Sequence, residues 1–163
     1  MFPREDDYAI AGRLLADHGV QAWVNCPRRM WPLHQAIRRD LRGQRMFEMH
    51  GCGSQWGLAC NAIHFLDLFA YLSGCAECVV AAEGLDAGVV KSRRNGFLEV
   101  TGSLQATFSS GGRLTLSSYR DGQVPLTLKV VAEETVVHLA ELSGDRWTAM
   151  RSAGWNWTHE QVK

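Results

Sequence analysis

Gly57-Leu58-Ala-Cys60-Asn61-Ala62-Ile63-His64-Phe65-Leu66-Asp67-Leu-Phe69-Ala70-Tyr71-Leu72-Ser-Gly74 runs for about four turns without proline or interior glycine. It ends on a glycine, the residue a helix C-terminus favours. At 100° per residue, Gly57, Cys60, His64, Asp67 and Tyr71 share one narrow strip. Leu58, Ala62, Phe65, Phe69 and Leu72 form a second strip, and Ile63, Leu66 and Ala70 a third. A helix that is apolar on most sides is buried. Its polar strip must then meet other protein groups, water or a ligand.

Upstream, residues 5–18 read as a helix, with Glu5, Asp6 and Asp7 in the first turn where the helix dipole favours acids, and Gly19 as the stop. Val20–Val24 reads as a buried strand. A helix followed directly by a strand is the second half of a βαβ unit, which implies a missing first half. Asn25–Pro32 leaves that strand between two prolines that hold it extended or turned. Its adjacent Arg28 and Arg29 carry the fixed donor fork that suits anions or sugar hydroxyls. They suit equally a solvated loop, or pairing with Asp6, Asp7 or Asp40. Pro32–Leu41 is a second helix and Arg45–His50 a second strand. The segment Gly51-Cys-Gly53-Ser-Gln-Trp56-Gly57 is a glycine-rich lead into the long helix that lacks the dinucleotide fingerprint.

Beyond Gly74 the pattern turns to β. Leu98, Val100, Leu104, Ala106 and Phe108 alternate with Glu99, Thr101, Ser103, Gln105, Thr107 and Ser109, a half-buried strand with a polar outer face. A turn at Ser110-Gly111-Gly112 and a return at Arg113–Ser118 follow, then strands at Leu126–Val130, Thr135–Ala140 and Arg146–Met150. Helices first and consecutive strands afterwards predict an α+β fold, with helices packed on one face of a largely antiparallel open sheet. The other face, rich in serine and threonine, is either solvated or a wet subunit interface. The short amphipathic tail carries Trp155 and Trp157, which either pin it to the body or form an interface patch.

The whole chain, residues 1–163, corresponds to a single domain able to bury roughly 70% of its unfolded surface. Its 17 basic and 17 acidic residues cancel, which removes the basic footprint of a nucleic-acid binder. No apolar run reaches membrane-spanning length, and the first residues are acidic where a signal peptide is basic and then apolar; the reading is a cytoplasmic protein with no membrane partner. The five cysteines form no disulfide framework. Cys75-Ala-Glu-Cys78 is a lone CxxC that lacks the second ligand pair of a zinc site, so incidental thiols and no metal are expected; a thiol metal site and a redox pair are the other readings.

The order of these elements, with Arg28-Arg29-Met-Trp-Pro32 and Ile63-His64-Phe-Leu-Asp67, resembles the C-terminal half of the glucose–fructose oxidoreductase / inositol dehydrogenase (Gfo/Idh/MocA) family over residues 5–152. The first motif is similar to the family's Arg-Arg-Phe-x-Pro turn and the second to its Ile-His-x-x-Asp helix. The resemblance implies an NAD(P)-dependent oxidoreductase acting on a sugar or polyol, with this domain binding substrate and assembling a homodimer or higher oligomer through its sheet. It puts His64 at the position of the catalytic histidine, with Asp67 orienting the ring or fixing its charge. Arg28, Arg29, Trp56 and Asn61 would bind substrate. Two departures accompany it. Cys60 stands where the family often has an acid, four residues before the histidine. The Rossmann domain is absent, and so is the Glu-Lys-Pro segment, whose lysine would lie at or just before residue 1. NAD or NADP would serve the full-length parent and none this chain alone, which is expected to be inactive by itself. The other readings are a satisfied core histidine at 64, and a non-enzymatic homo-oligomerising module.

Overall fold

The structure, a computed structural model, describes residues 4–92, 94–143, 146–153 and 156–162, and beyond residue 140 the backbone alone. Its helices are α1 (Glu5–Asp17), α2 (Pro32–Asp40) and α3 (Leu58–Ser73), with a 3-10 turn at Pro27–Met30. The strands are β1 (Met46–Ser54), β2 (Cys78–Ala81), β3 (Val90–Lys91), β4 (Leu98–Glu99), β5 (Gly102–Phe108), β6 (Arg113–Tyr119), β7 (Thr127–Ala132), β8 (Thr135–Ser143), β9 (Arg146–Ala153) and β10 (Asn156–Val162). Eight of them form one open sheet in the order β10-β9-β8-β7-β1-β6-β5-β2, and β3 pairs with β4 apart from it. Every neighbouring pair is antiparallel except β1 with β6, where Glu48 faces Arg113 and Ser54 faces Tyr119. The expected α+β architecture is the one observed.

The core lies between this sheet and α2 and α3. From α3, Leu58, Phe65, Leu68 and Phe69 have no solvent exposure, nor do Met49 on β1, Leu114 and Leu116 on β6 and Val130 on β7. Phe69 stacks on Phe108 of β5 at 4.0 Å between ring centres. Burial of side chains this size stabilises by about 1.5–3 kcal/mol each. Helix α2 adds Leu33 and Ile37 at four-residue spacing, with Leu41 just beyond it. The opposite face of the sheet carries Ser103, Gln105 and Thr107 on β5, Thr115 and Ser117 on β6, and His50 and Cys52 on β1. It is tied by Ser103 Oγ to Ser117 Oγ at 2.7 Å.

Three expectations need correcting. Val20–Val24 is not a buried strand: it joins no sheet, and Val20, Trp23 and Val24 are exposed, the last two by more than four-fifths. A strand exists through its neighbours' hydrogen bonds, and no described segment offers any. The glycine-rich lead is mostly strand, for β1 continues through Gly51 and Gly53 to Ser54. Finally, the alternation over 98–109 breaks in the middle. Leu98 is exposed while Glu99 and Thr101 are buried, and only from Ser103 onward does the polar set face outward. The cause is Gly102. Its φ of +95° kinks the chain against the 84–86 turn, where Ser103 N–H donates to Gly84 O at 2.8 Å and Asp86 N–H to Thr101 O at 2.9 Å. The tail is strand β10; Trp157 falls within it, and Trp155 lies outside the described residues.

A Cβ on residue 102 would stand 2.5 Å from both Gly84 O and Asp86 N, backbone atoms that cannot turn aside. Gly102→Ala is therefore expected to destabilise the fold by about 2–4 kcal/mol. Denaturant melts of the two proteins measure it.

Candidate functional site

The N-terminal end of α3 forms one wall of a cleft of about 550 Å³. The segment 24–26, the β3–β4 hairpin and Ser118 of β6 form the rest, and Tyr8 of α1 reaches its edge. Helix α3 starts where Gly57 adopts φ +82°, a left-handed conformation that costs glycine little, and Gly74 ends it in the same way at φ +75°. With the core face packed down, Cys60, Asn61, Ile63 and His64 turn to the cleft.

His64 is half-buried, and its Nδ1 is buried without a hydrogen-bond partner. Burial pushes its pKa below the ordinary histidine value, the Arg28 guanidinium adds to this, and Asp67 opposes it. The ring is thus neutral at pH 7. Buried ring nitrogens are normally paired, and this one has no protein partner.

Trp56 and Asn61 also line the cleft. Trp56 donates its indole N–H to Ser117 O at 2.8 Å and meets Phe65 edge-on. Asn61 donates from Nδ2 to Trp56 O and Gly57 O, at 3.0 and 2.9 Å. Arg28, Arg29 and Asp67 are not among the lining residues. Arg28 lies over the rings of Phe65 and Trp31, 4.3 and 5.0 Å from their centres. Arg29 grips Asp67 through Nε and Nη2, bonding to both carboxylate oxygens, so its acidic partner is Asp67 and not Asp6, Asp7 or Asp40. The pair straps the 3-10 turn to the middle of α3.

Two residues near the site were not among those the sequence proposed for it. His34 on α2 is almost fully buried, stacks on Trp31 at 5.3 Å and bonds through Nδ1 to Arg28 O at 3.0 Å. Burial brings its pKa down to about 4. Its position beside Leu33 and three residues before Ile37, on the buried side of α2, was the available signal. Glu99 of β4 is the other. It is 7% exposed and lines the cleft, where its Oε2 accepts from Ala59 N–H at 2.8 Å. Cys60 lies against Glu99, and this contact, with burial, raises the thiol's pKa.

The glycines before α3 do not make a phosphate cradle. Gly51 and Gly53 are laddered to β6, and a Cβ on them would stand 2.9 Å from Leu116 Cδ2 and Leu126 Cα respectively. They serve close packing within the strand ladder and do not form an anion-binding nest themselves. Among the described residues no three His, Cys, Asp or Glu side chains gather as metal ligands, and no helix is long and apolar enough to cross a membrane.

No family model matches the chain, and no curated protein does. Solved structures do. UDP-N-acetylglucosamine 3-dehydrogenase GnnA from Acidithiobacillus ferrooxidans is similar over 98% of this chain and 51% of its own, with 16% identity and a TM-score of 0.62. D-galactose-1-dehydrogenase from Rhizobium etli matches over 98% and 54%, with 11% identity and a TM-score of 0.64. The WlbA dehydrogenase from Bordetella pertussis, solved with NADH and UDP-GlcNAcA, matches over 86% and 49%, with 15% identity and a TM-score of 0.63. The likeness is one of fold, and the chain spans about half the length of the structures it matches.

The buried His34 has a measurable consequence. Between pH 6.5 and about 4 the unfolded chain takes up a proton at this residue and the folded chain does not. Its contribution to stability is intact above pH 6.5 and declines as pH falls to about 4, by roughly 3 kcal/mol in all. Urea melts across this range should show the decline, and His34→Phe, which keeps an aromatic ring on Trp31, should flatten it. Separately, a double-mutant cycle on Arg29 and Asp67 is expected to return a coupling of about 1 kcal/mol.

Proposed function

We propose that this chain is the substrate side of a sugar or polyol oxidoreductase, working with a nucleotide-binding half outside this sequence. The observation that carries the proposal is His64, a neutral imidazole with an unpaired buried nitrogen on the wall of a cleft. Such a ring accepts the proton of a substrate hydroxyl during oxidation and returns it during reduction. NAD or NADP, bound by the other half, would exchange hydride with the carbon that carries that hydroxyl. The relatives in fold support the class: by name they are dehydrogenases, several of them of sugars or nucleotide sugars.

A second observation supports a missing half. Tyr8, Ile10 and Leu14 of α1, with Val20, Trp23 and Val24 after it, are all exposed. Apolar surface gathered on one helix and the following segment is the kind that another domain covers. The roles of the remaining residues follow from their places. Trp56 and Asn61 shape the substrate wall. Arg28, Arg29 and Asp67 act through His64 and the position of α3: burial, helped by the Arg28 charge, keeps the ring neutral, and the Arg29–Asp67 pair holds the helix. The polar face of the sheet is the surface through which copies assemble. Chemistry and assembly are separate claims, because a non-enzymatic module would assemble through the same face and leave His64 idle.

Joined to its nucleotide-binding half, the protein should lose turnover by roughly 10²-fold or more on His64→Ala, the scale of a lost acid/base group. Steady-state kinetics decide it, and unchanged turnover removes His64 from the chemistry. The rate of oxidation should fall as pH drops through a value below the ordinary histidine pKa, since the ring must be neutral to take a proton. The chain by itself should show no saturable binding of NAD or NADP by calorimetry. Sedimentation of the same sample reports whether it assembles.

A further inference from the structure

Glu99 is the one buried carboxyl group among the described residues, and no Lys, Arg or His pairs with it there. An unpaired buried charge is costly. Here it is offset by the positive end of α3 and by the Ala59 N–H, which engages Oε2. The other oxygen, Oε1, leans over Gly57, where an added Cβ would stand 3.2 Å from it and 2.9 Å from Asn61 Nδ2. Asn61 spends its amide hydrogens on Trp56 O and Gly57 O, so the group it has left for the cleft is its carbonyl oxygen. This wall therefore offers two neighbouring acceptors, Glu99 and Asn61 Oδ1, while the arginines of the 3-10 turn do not line the cleft.

We propose that Glu99 is a specificity-determining residue of the cleft: with Asn61 Oδ1 it accepts hydrogen bonds from neighbouring hydroxyls of a neutral polyhydroxy ligand. This rests on reading the cleft as a sugar or polyol site. A pair of acceptors needs donors opposite it, and hydroxyls supply them. A carboxylate or phosphate brought to the same wall supplies none and is repelled by Glu99. Lys91 and Arg94 also line the cleft, from the β3–β4 hairpin, but both are exposed, where water and salt screen their attraction for an anion.

The test is an amide NMR titration of the chain with myo-inositol and D-glucose, and with D-glucuronate as an anionic counterpart. The neutral ligands should shift resonances at 57–64 and 98–101 and bind more tightly than the anionic one. Glu99→Gln, which exchanges an acceptor for an amide donor, should weaken neutral binding by about tenfold or more in the folded protein. If Glu99 serves only to cap α3, the variant melts earlier but binds as the wild type does, and the inference is overturned. Tighter binding of D-glucuronate to the wild type overturns it too, and that comparison stands whether or not the variant folds. Binding of none of the three sugars overturns the reading of the cleft itself.

Discussion

The rotation of α3 about its own axis is the constraint on which the rest of the molecule depends. Leu58, Phe65, Leu68 and Phe69 are wholly removed from water against β1, β5 and β6. Turning the helix by a single residue position, 100°, would lift that set off the sheet and drive Asp67 or His64 into it. The burial lost would amount to several kcal/mol, and the desolvation of a carboxylate would add to it. The direction in which Cys60, Asn61 and His64 point is thus fixed by residues that never touch the cleft. The Arg29–Asp67 pair secures the same setting from the other flank.

Periodicity made this helix and its polar strip readable in advance, because a long apolar segment with few polar residues leaves little freedom in what those residues face. The antiparallel strands from β5 onward were readable for the same reason, with side chains alternating in and out. What periodicity does not carry is partnership. The strip containing His64 and Asp67 suggested one cluster, yet Asp67 is held by Arg29, 38 residues away in sequence, where the sequence suggested Asp6, Asp7 or Asp40 as acids for the arginines. Val20–Val24 has the composition of a strand, but composition does not supply a neighbour to bond with.

Glu99 illustrates a different blindness. In a regular strand it belongs to the outward set, with Thr101 and Ser103, and an outward glutamate attracts no notice. One backbone angle at Gly102 inverts the phase on its N-terminal side, and the carboxyl group turns inward to the start of α3. The carboxyl group thereby reaches Cys60 from a hairpin. Single-residue irregularities of this kind are where a pattern-based reading of the chain reverses sign.

The parallel pairing of β1 with β6 also governs the route by which the polypeptide can assemble. Glu48 and Arg113 lie side by side but 65 residues apart in sequence, whereas β5 and β6 are joined by a tight turn and can zip locally. Strand β1 occupies a central place and stays unladdered on both edges until β6 and β7 have been synthesised. Long-range closure of this kind is slow, because the loop entropy is lost before the new contacts compensate it. Emerging from the ribosome, α3 would thus carry a greasy underside with only the unpaired β1 beside it until β5 and β6 follow. That interval is when chaperones have the most to shield.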